Sequence, residues 1–217
     1  MTVCTIIGMG AGLSFEIARR FGKAGYAIGM IARRGEPLAM ISKNLSGEGI
    51  ACAGVAADAG SEARLREALT ELARLQGDTQ ILVYNAYTDH RVAPTKLALE
   101  SAVEDFRVNV GGALVAAQIV APAMISRGNG AILVTGGGFA LQPTIERSSL
   151  GLSKAALRNF VTSLALELEP HGVRVGTVTV CGFIKRGTPF SPERIAEEFF
   201  VMSKERPGSP NERQFRG

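Results

Sequence analysis

Short apolar runs alternate along the chain with longer stretches in which apolar residues recur every three or four positions. Val3–Ile7 is followed by an amphipathic stretch Leu13–Lys23, Tyr26–Ile31 by Pro37–Leu45, and Ile50–Ala56 by Ser61–Leu75. The second half continues with Ile81–Tyr84, a long helical stretch through Arg127, Ala131–Thr135, a helix near Leu150–Glu169, and Val173–Val180. Strands that alternate with helices predict βαβ units, hence an α/β chain with a doubly wound, mostly parallel sheet and helices on both faces.

Local signals sharpen some boundaries. Ser61 before Glu62 has the chemistry of a helix N-cap, and Leu65, Leu69, Leu72 and Leu75 fall along one helical face. Gly172, just after Pro170, closes another helix. No repeat, low-complexity segment or linker divides the chain, so residues 1–217 read as one domain. Residues 187–217 read as a short loop, a helix Pro192–Lys204 and a tail rich in Pro, Gly and Arg.

Composition narrows the function classes. The 217 residues are 46% hydrophobic and 20% charged, as expected of a soluble globular protein with one sizeable core. The 24 Lys and Arg against 20 Asp and Glu give a net charge of +4, but the basic residues are scattered except for pairs such as Arg19-Arg20 and Arg33-Arg34. That pattern speaks against a nucleic-acid stripe. Cys4, Cys52 and Cys181 form no CxxC pair, so neither a disulfide framework nor a metal site is expected. No positively charged leader precedes the first apolar run, and no apolar stretch reads as a membrane span, so a cytoplasmic protein without membrane partners is expected.

The first chemistry lies in Ile6-Ile7-Gly8-Met9-Gly10-Ala11-Gly12-Leu13-Ser14, between the first strand and the first helix. Glycines here let the backbone turn tightly and approach a pyrophosphate, which then meets the unpaired N–H groups and positive dipole end of the helix. An ordinary strand–helix turn is the bland alternative, but the place of the turn in a βαβ pattern favours a dinucleotide site of Rossmann type. The second strand ends in Ala32-Arg33-Arg34, with no acidic residue for a ribose 2′-hydroxyl. Two guanidinium groups there suit a 2′-phosphate, so NADP(H) is the expected cofactor, a solvated basic pair being the alternative.

With these residues in place the sequence resembles the short-chain dehydrogenase/reductase family over almost its whole length. Gly8 and Gly12 match the family's first turn, with Ser14 in place of its last glycine. Asp58 in Ala57-Asp58-Ala59, Asn85-Ala86 after the fourth strand, Asn109 in Val108-Asn109-Val110, and Ser153-Lys154-Ala155-Ala156 follow in the family's order. The resemblance implies cofactor contacts from Gly8, Gly10, Gly12, Leu13, Ser14, Arg33 and Arg34. It implies the same of Asp58, Ala59, Asn85, Ala86, Lys154, Gly182 and Ile184, and catalytic roles for Asn109 and Lys154. Taken alone, Lys154 also reads as a helix-surface lysine and Asn109 as a helix-kink asparagine.

The departures from the family fall on its chemistry. Its proton-donating tyrosine, four residues before the lysine, maps to Leu150, and its serine maps near Gly137. Leucine has no proton to give. Tyr87 replaces the glycine after Asn85-Ala86, and Cys181-Gly182 stands for the family's Pro-Gly pair. Few residues separate Gly182 from the helix at Pro192, where the family carries a substrate-covering loop, so an open substrate side is expected. Two functions remain: an NADP(H)-dependent oxidoreductase of atypical or weakened catalysis on a small carbonyl or enone, or a non-catalytic NADP(H)-binding sensor or partner subunit. A pure scaffold is a weaker third. Apolar excess in Val110–Ile125 and Ala155–Leu168 predicts a homodimer or homotetramer.

Overall fold

The computed structural model describes residues 2–217. Seven strands form one sheet in the order β3-β2-β1-β4-β5-β6-β7, and every neighbouring pair is parallel. They are β1 (Val3–Ile7), β2 (Ala27–Ala32), β3 (Cys52–Ala56), β4 (Thr79–Tyr84), β5 (Gly130–Gly137), β6 (Val173–Val180) and β7 (Glu212–Phe215). The helices are α1 (Leu13–Lys23), α2 (Gly35–Gly47), α3 (Glu62–Gln76), α4 (Leu99–Phe106), α5 (Gly112–Arg127), α6 (Ser148–Leu168) and α7 (Pro192–Met202). This is the doubly wound arrangement expected from the apolar pattern.

Strand periodicity decides which face each helix covers. In β4, Leu82 and Tyr84 pack with α3, α5 and α6, whereas Ile81 and Val83 pack with α1, α2 and α7. Strand order reverses beside β1, where β2 lies on one side and β4 on the other. The crevice outside the strand ends at such a switch point is where doubly wound folds bind ligands.

Four expectations need correction. The tail contains β7, whose Thr177↔Glu212 to Val180↔Phe215 register extends the sheet. Its four residues show little alternation and follow a turn rich in Pro and Gly, so only the neighbouring strand reveals them. Pairing is aided by Arg174, buried on β6, whose guanidinium holds Glu169, Glu205 and the Pro210 carbonyl. Helix α7 stops at Met202, short of Lys204. Leu75, at the end of the α3 stripe, is 49% exposed, whereas Ser61 takes the expected N-cap position of α3, with no side-chain cap bond. Finally, Leu99–Arg127 is long and apolar enough to meet the compositional test for a membrane span, contrary to the sequence expectation, with 56% of its most apolar window buried inside the protein.

Candidate functional site

Gly8 ends β1 with φ +87°, and a Cβ there would lie 2.3 Å from the Ala86 backbone nitrogen. Only glycine tolerates both the backbone conformation and this approach. The Gly8 and Met9 amides both donate to the Ile31 carbonyl at 2.9 Å, tying the turn to β2. Ser14 Oγ accepts from Gly10 N at 2.9 Å and donates to Gly10 O at 3.3 Å, closing the loop over the start of α1. Gly12 caps α1 without a side-chain bond, and Cβ atoms on Gly10 or Gly12 would meet nothing within 4 Å. The turn is therefore a backbone cradle open on its outer side, with the helix N-terminus at its floor; these features fit a pyrophosphate.

A cavity of about 930 Å³ runs along the strand ends from this cradle. Of the residues expected at the cofactor, Gly8, Gly10, Gly12, Leu13, Ser14, Arg33, Asp58, Ala59, Asn85, Ala86, Lys154, Gly182 and Ile184 all line it. Arg34 does not line it: it is the exposed N-cap residue of α2. Only Arg33 and Arg34 separate β2 from α2, and only the first of them reaches the cavity. Asp58 Oδ1 accepts from Gly60 N at 2.9 Å and shapes the turn after β3.

Asn85 joins the two halves of the cavity. Its Nδ2 donates to Gly8 O at 3.3 Å, and its Oδ1 accepts from Thr135 Oγ1 at 2.8 Å. The Thr135 carbonyl in turn accepts from Lys154 Nζ at 2.7 Å. Lys154 is only 7% exposed, and burial pulls its ammonium down from 10.5 to about 8. A helix-surface lysine is thus excluded.

Asn109, expected in catalysis, lies off the cavity and is fully buried in a π-helical turn, Arg107–Gly111, between α4 and α5. Its Oδ1 accepts from Thr88 N at 2.7 Å and its Nδ2 donates to Thr88 O at 2.9 Å. Next to it, buried Asp105 accepts from the His90 amide and from His90 Nδ1, each at 2.9 Å, and from Ser149 Oγ. Burial raises the Asp105 carboxyl, but the bonds from Ser149 and His90 outweigh it and hold the group below the usual carboxylate range. Asn109 and Asp105 together fix the segment after β4 that carries Tyr87, Asp89 and Arg91. In this arrangement the Asn109 amide is spent on the Thr88 backbone.

Leu150 lines the cavity and offers it only methyl groups. A Cβ on Gly137 would sit at an ordinary 3.5 Å from Lys154 Cγ, so no hydroxyl faces the lysine from this position either. Tyr87, 60% exposed, brings a phenol to the cavity wall. The cavity also gathers Arg91, Arg147 and Arg216. Arg216 follows β7 and reached the site unannounced, because the strand carrying it has no readable pattern. The segment from Gly182 to Pro192 is short, and Phe183 near its start is 78% exposed. On its inner side the Cys181 amide donates to the Phe215 carbonyl at 2.9 Å.

A parallel sheet with a glycine cradle at its switch point and a long cavity beyond defines a dinucleotide-binding class of α/β protein. The family model described as short chain dehydrogenase matches residues 2–198. The very-long-chain 3-oxoacyl-CoA reductase of Aspergillus clavatus is 30% identical over 210 residues, covering 92% of this chain and 60% of that protein. The human dehydrogenase/reductase SDR family member 4 is 30% identical over 182 residues, 83% of this chain and 64% of that protein. This chain spans under two thirds of the length of both. Among solved structures, a metagenomic short-chain oxidoreductase in complex with NADP superposes with TM-score 0.88 at 23% identity, covering 98% of this chain and 95% of that one. The L-sorbose reductase of Gluconobacter frateurii, complexed with NADPH and L-sorbose, gives TM-score 0.90 at 24% identity over 99% and 94% of the chains. The protein belongs to the short-chain dehydrogenase/reductase family, whose members are oxidoreductases that use a nicotinamide cofactor.

Proposed function

We propose that the protein is an NADP(H)-dependent oxidoreductase acting on a small carbonyl or enone, with catalysis weakened by the absence of the family's phenol and hydroxyl. The observation that carries it is one cavity holding the Gly8 cradle, Arg33, Asn85 and buried Lys154 together. Bound NADPH supplies a hydride. The cradle and the α1 N-terminus would hold the pyrophosphate, Arg33 a 2′-phosphate, and Lys154 the ribose hydroxyls near the nicotinamide. Leu150 and Gly137 leave proton delivery to Tyr87 or to solvent. General acid catalysis contributes roughly 10²–10⁴-fold, so loss of the phenol slows turnover without removing nucleotide binding.

Leu150 and Gly137 also favour a second reading, a non-catalytic NADP(H)-binding sensor or partner subunit. A screen of carbonyl and enone acceptors with NADPH, followed at the nicotinamide absorbance, separates the two: turnover supports the enzyme, and tight NADPH binding with no turnover supports the sensor. Exposed Leu114 and Ile125 on α5 and Leu166 on α6 support a homodimer or homotetramer through these helices. A cytoplasmic location is part of the same reading.

A further inference from the structure

The cavity wall carries five cationic side chains, Arg33, Arg91, Arg147, Lys154 and Arg216, against one acidic side chain, Asp58 at the turn after β3. Arg33 and Lys154 belong to the nucleotide half described above. Arg147, the N-cap residue of α6 about one turn before Leu150 and two before Lys154, lines the same cavity, as do Arg91, Tyr87 and Phe139. Arg147, in the turn leading into α6, has a side chain only 20% exposed, and its guanidinium lies 5.6 Å from the Phe139 ring centroid. One nitrogen donates to Asp89 Oδ2 at 2.7 Å. Among the described residues no other acceptor bonds this guanidinium, which has five N–H donors.

Asp89 is the balancing charge, with its side chain 6% exposed. Arg91 also approaches Asp89 Oδ2, at 3.4 Å, and Asp89 Oδ1 is buried with no partner among the described residues. Two guanidinium groups and one carboxylate leave a single positive charge beside an apolar wall. The geometry of this group is fixed from behind by Asn109 on Thr88 and by Asp105 on His90. A half-desolvated guanidinium with unspent donors, held in place at the substrate end, is a carboxylate receptor, and one net charge matches a monoanion better than a doubly charged phosphate.

We propose that the substrate is a carbonyl compound that carries its own carboxylate, and that Arg147, supported by Arg91, binds that carboxylate. This rests on the oxidoreductase reading and deepens it by naming the substrate class. The test uses benzoylformate, 4-carboxybenzaldehyde and 4-oxopentanoate, each paired with its methyl ester, on the NADPH-loaded protein. Relative catalytic efficiency is read from nicotinamide absorbance, and relative affinity from the change in bound NADPH fluorescence. An ester withdraws electrons more strongly than a carboxylate, so intrinsic reactivity favours the esters and a preference for an acid must come from the protein.

At least one acid should exceed its ester by about ten- to a hundredfold, the range of a charge-assisted bidentate contact. Arg147→Gln should bring that ratio to about one, and Arg147→Lys, which keeps the charge but not the fork, should give an intermediate value. Because each ratio is taken within one variant, a general loss of activity cancels. Should Arg147→Gln not fold, Asp89→Asn removes the balancing charge and should raise the ratio above the wild-type value. Ratios of one or less for all three pairs in the wild type, or a ratio unchanged by Arg147→Gln, overturn the proposal. Absence of turnover on acids and esters alike overturns the oxidoreductase reading instead, and the fluorescence ratio still decides the carboxylate site.

Discussion

Lys154 should lower the stability of the folded protein at neutral pH. Its ammonium titrates at about 8 in place of 10.5, through burial, which corresponds to roughly 3 kcal/mol against folding when both states are protonated. Replacing it by methionine keeps the stem volume, removes the buried charge, and loses the bond from Nζ to the Thr135 carbonyl, worth about 1 kcal/mol. Lys154→Met should therefore be more stable than the wild type at pH 7 by about 2 kcal/mol, or roughly 4–8 °C for a chain of this size. The gap has a definite pH dependence. Below pH 8 folded and unfolded lysine both hold the proton and the penalty is full. Between about 8 and 10.5 only the unfolded chain holds it, so wild-type stability rises with pH relative to the variant and the gap closes. Urea unfolding of both proteins at pH 7 and pH 10 measures this, since all other groups titrate alike in the two. A variant less stable than the wild type at pH 7, or a gap that does not change by pH 10, refutes the reasoning.

Other consequences are open to direct measurement. Arg33→Gln should weaken NADPH binding by about ten- to a hundredfold with little effect on NADH, and exposed Arg34, off the cavity, should matter much less; calorimetric titration of both cofactors decides. Asn109→Ala leaves the Thr88 amide and carbonyl without their partner and should cost about 2–4 kcal/mol in thermal unfolding, with an unchanged melting point counting against its positioning role. Light scattering at micromolar concentration should give a dimer or tetramer, and Leu152→Glu on the exposed face of α6 should shift it toward monomer; a wild-type monomer sinks the assembly reading. Leu150→Tyr with Gly137→Ser should raise carbonyl reduction by on the order of 10²-fold, since a Cβ at 137 makes only ordinary contacts; a rate unchanged from the wild type shows that the missing groups are not what limits turnover.

The elements with strong periodicity were legible in the sequence, and those that depend on a neighbour were not. Val3–Ile7 and its glycine turn announce themselves because a buried strand must be apolar and a tight turn must be glycine. β7 does not, because Glu212, Arg213 and Gln214 pair with β6 at the edge of the sheet, where one side faces solvent. The glycine-cradle end of the cavity was readable for the same reason as the turn: close backbone approach restricts residue type. The end lined by arginines was not. Arg91, Arg147 and Arg216 come from three separate segments, and nothing in their local sequence distinguishes them from ordinary solvated arginines. Asn109 was visible as a residue but its bonds to Thr88 were not, since only the fold brings that backbone to its amide.

The placement of Lys154 bears on whether the chain is a mere scaffold. A position on α6 that is 7% exposed and packed beside β5 would serve the fold better as leucine or methionine, given the free-energy cost of burying an ammonium there. Fold requirements do explain Gly8, whose neighbours forbid a side chain, so glycines alone do not separate a binding protein from a scaffold. They do not explain a lysine whose protein acceptor is a single carbonyl at the end of a chain of bonds running from Gly8 through Asn85 and Thr135. The buried ammonium costs stability and ends that chain at the cavity, a cost that a nucleotide-binding site would explain and a scaffold would not. The same reasoning applies with opposite sign at Leu150, whose side chain serves the fold and offers the cavity no proton, so on the proposed reading nucleotide binding and ordinary carbonyl reduction should separate at neighbouring turns of one helix.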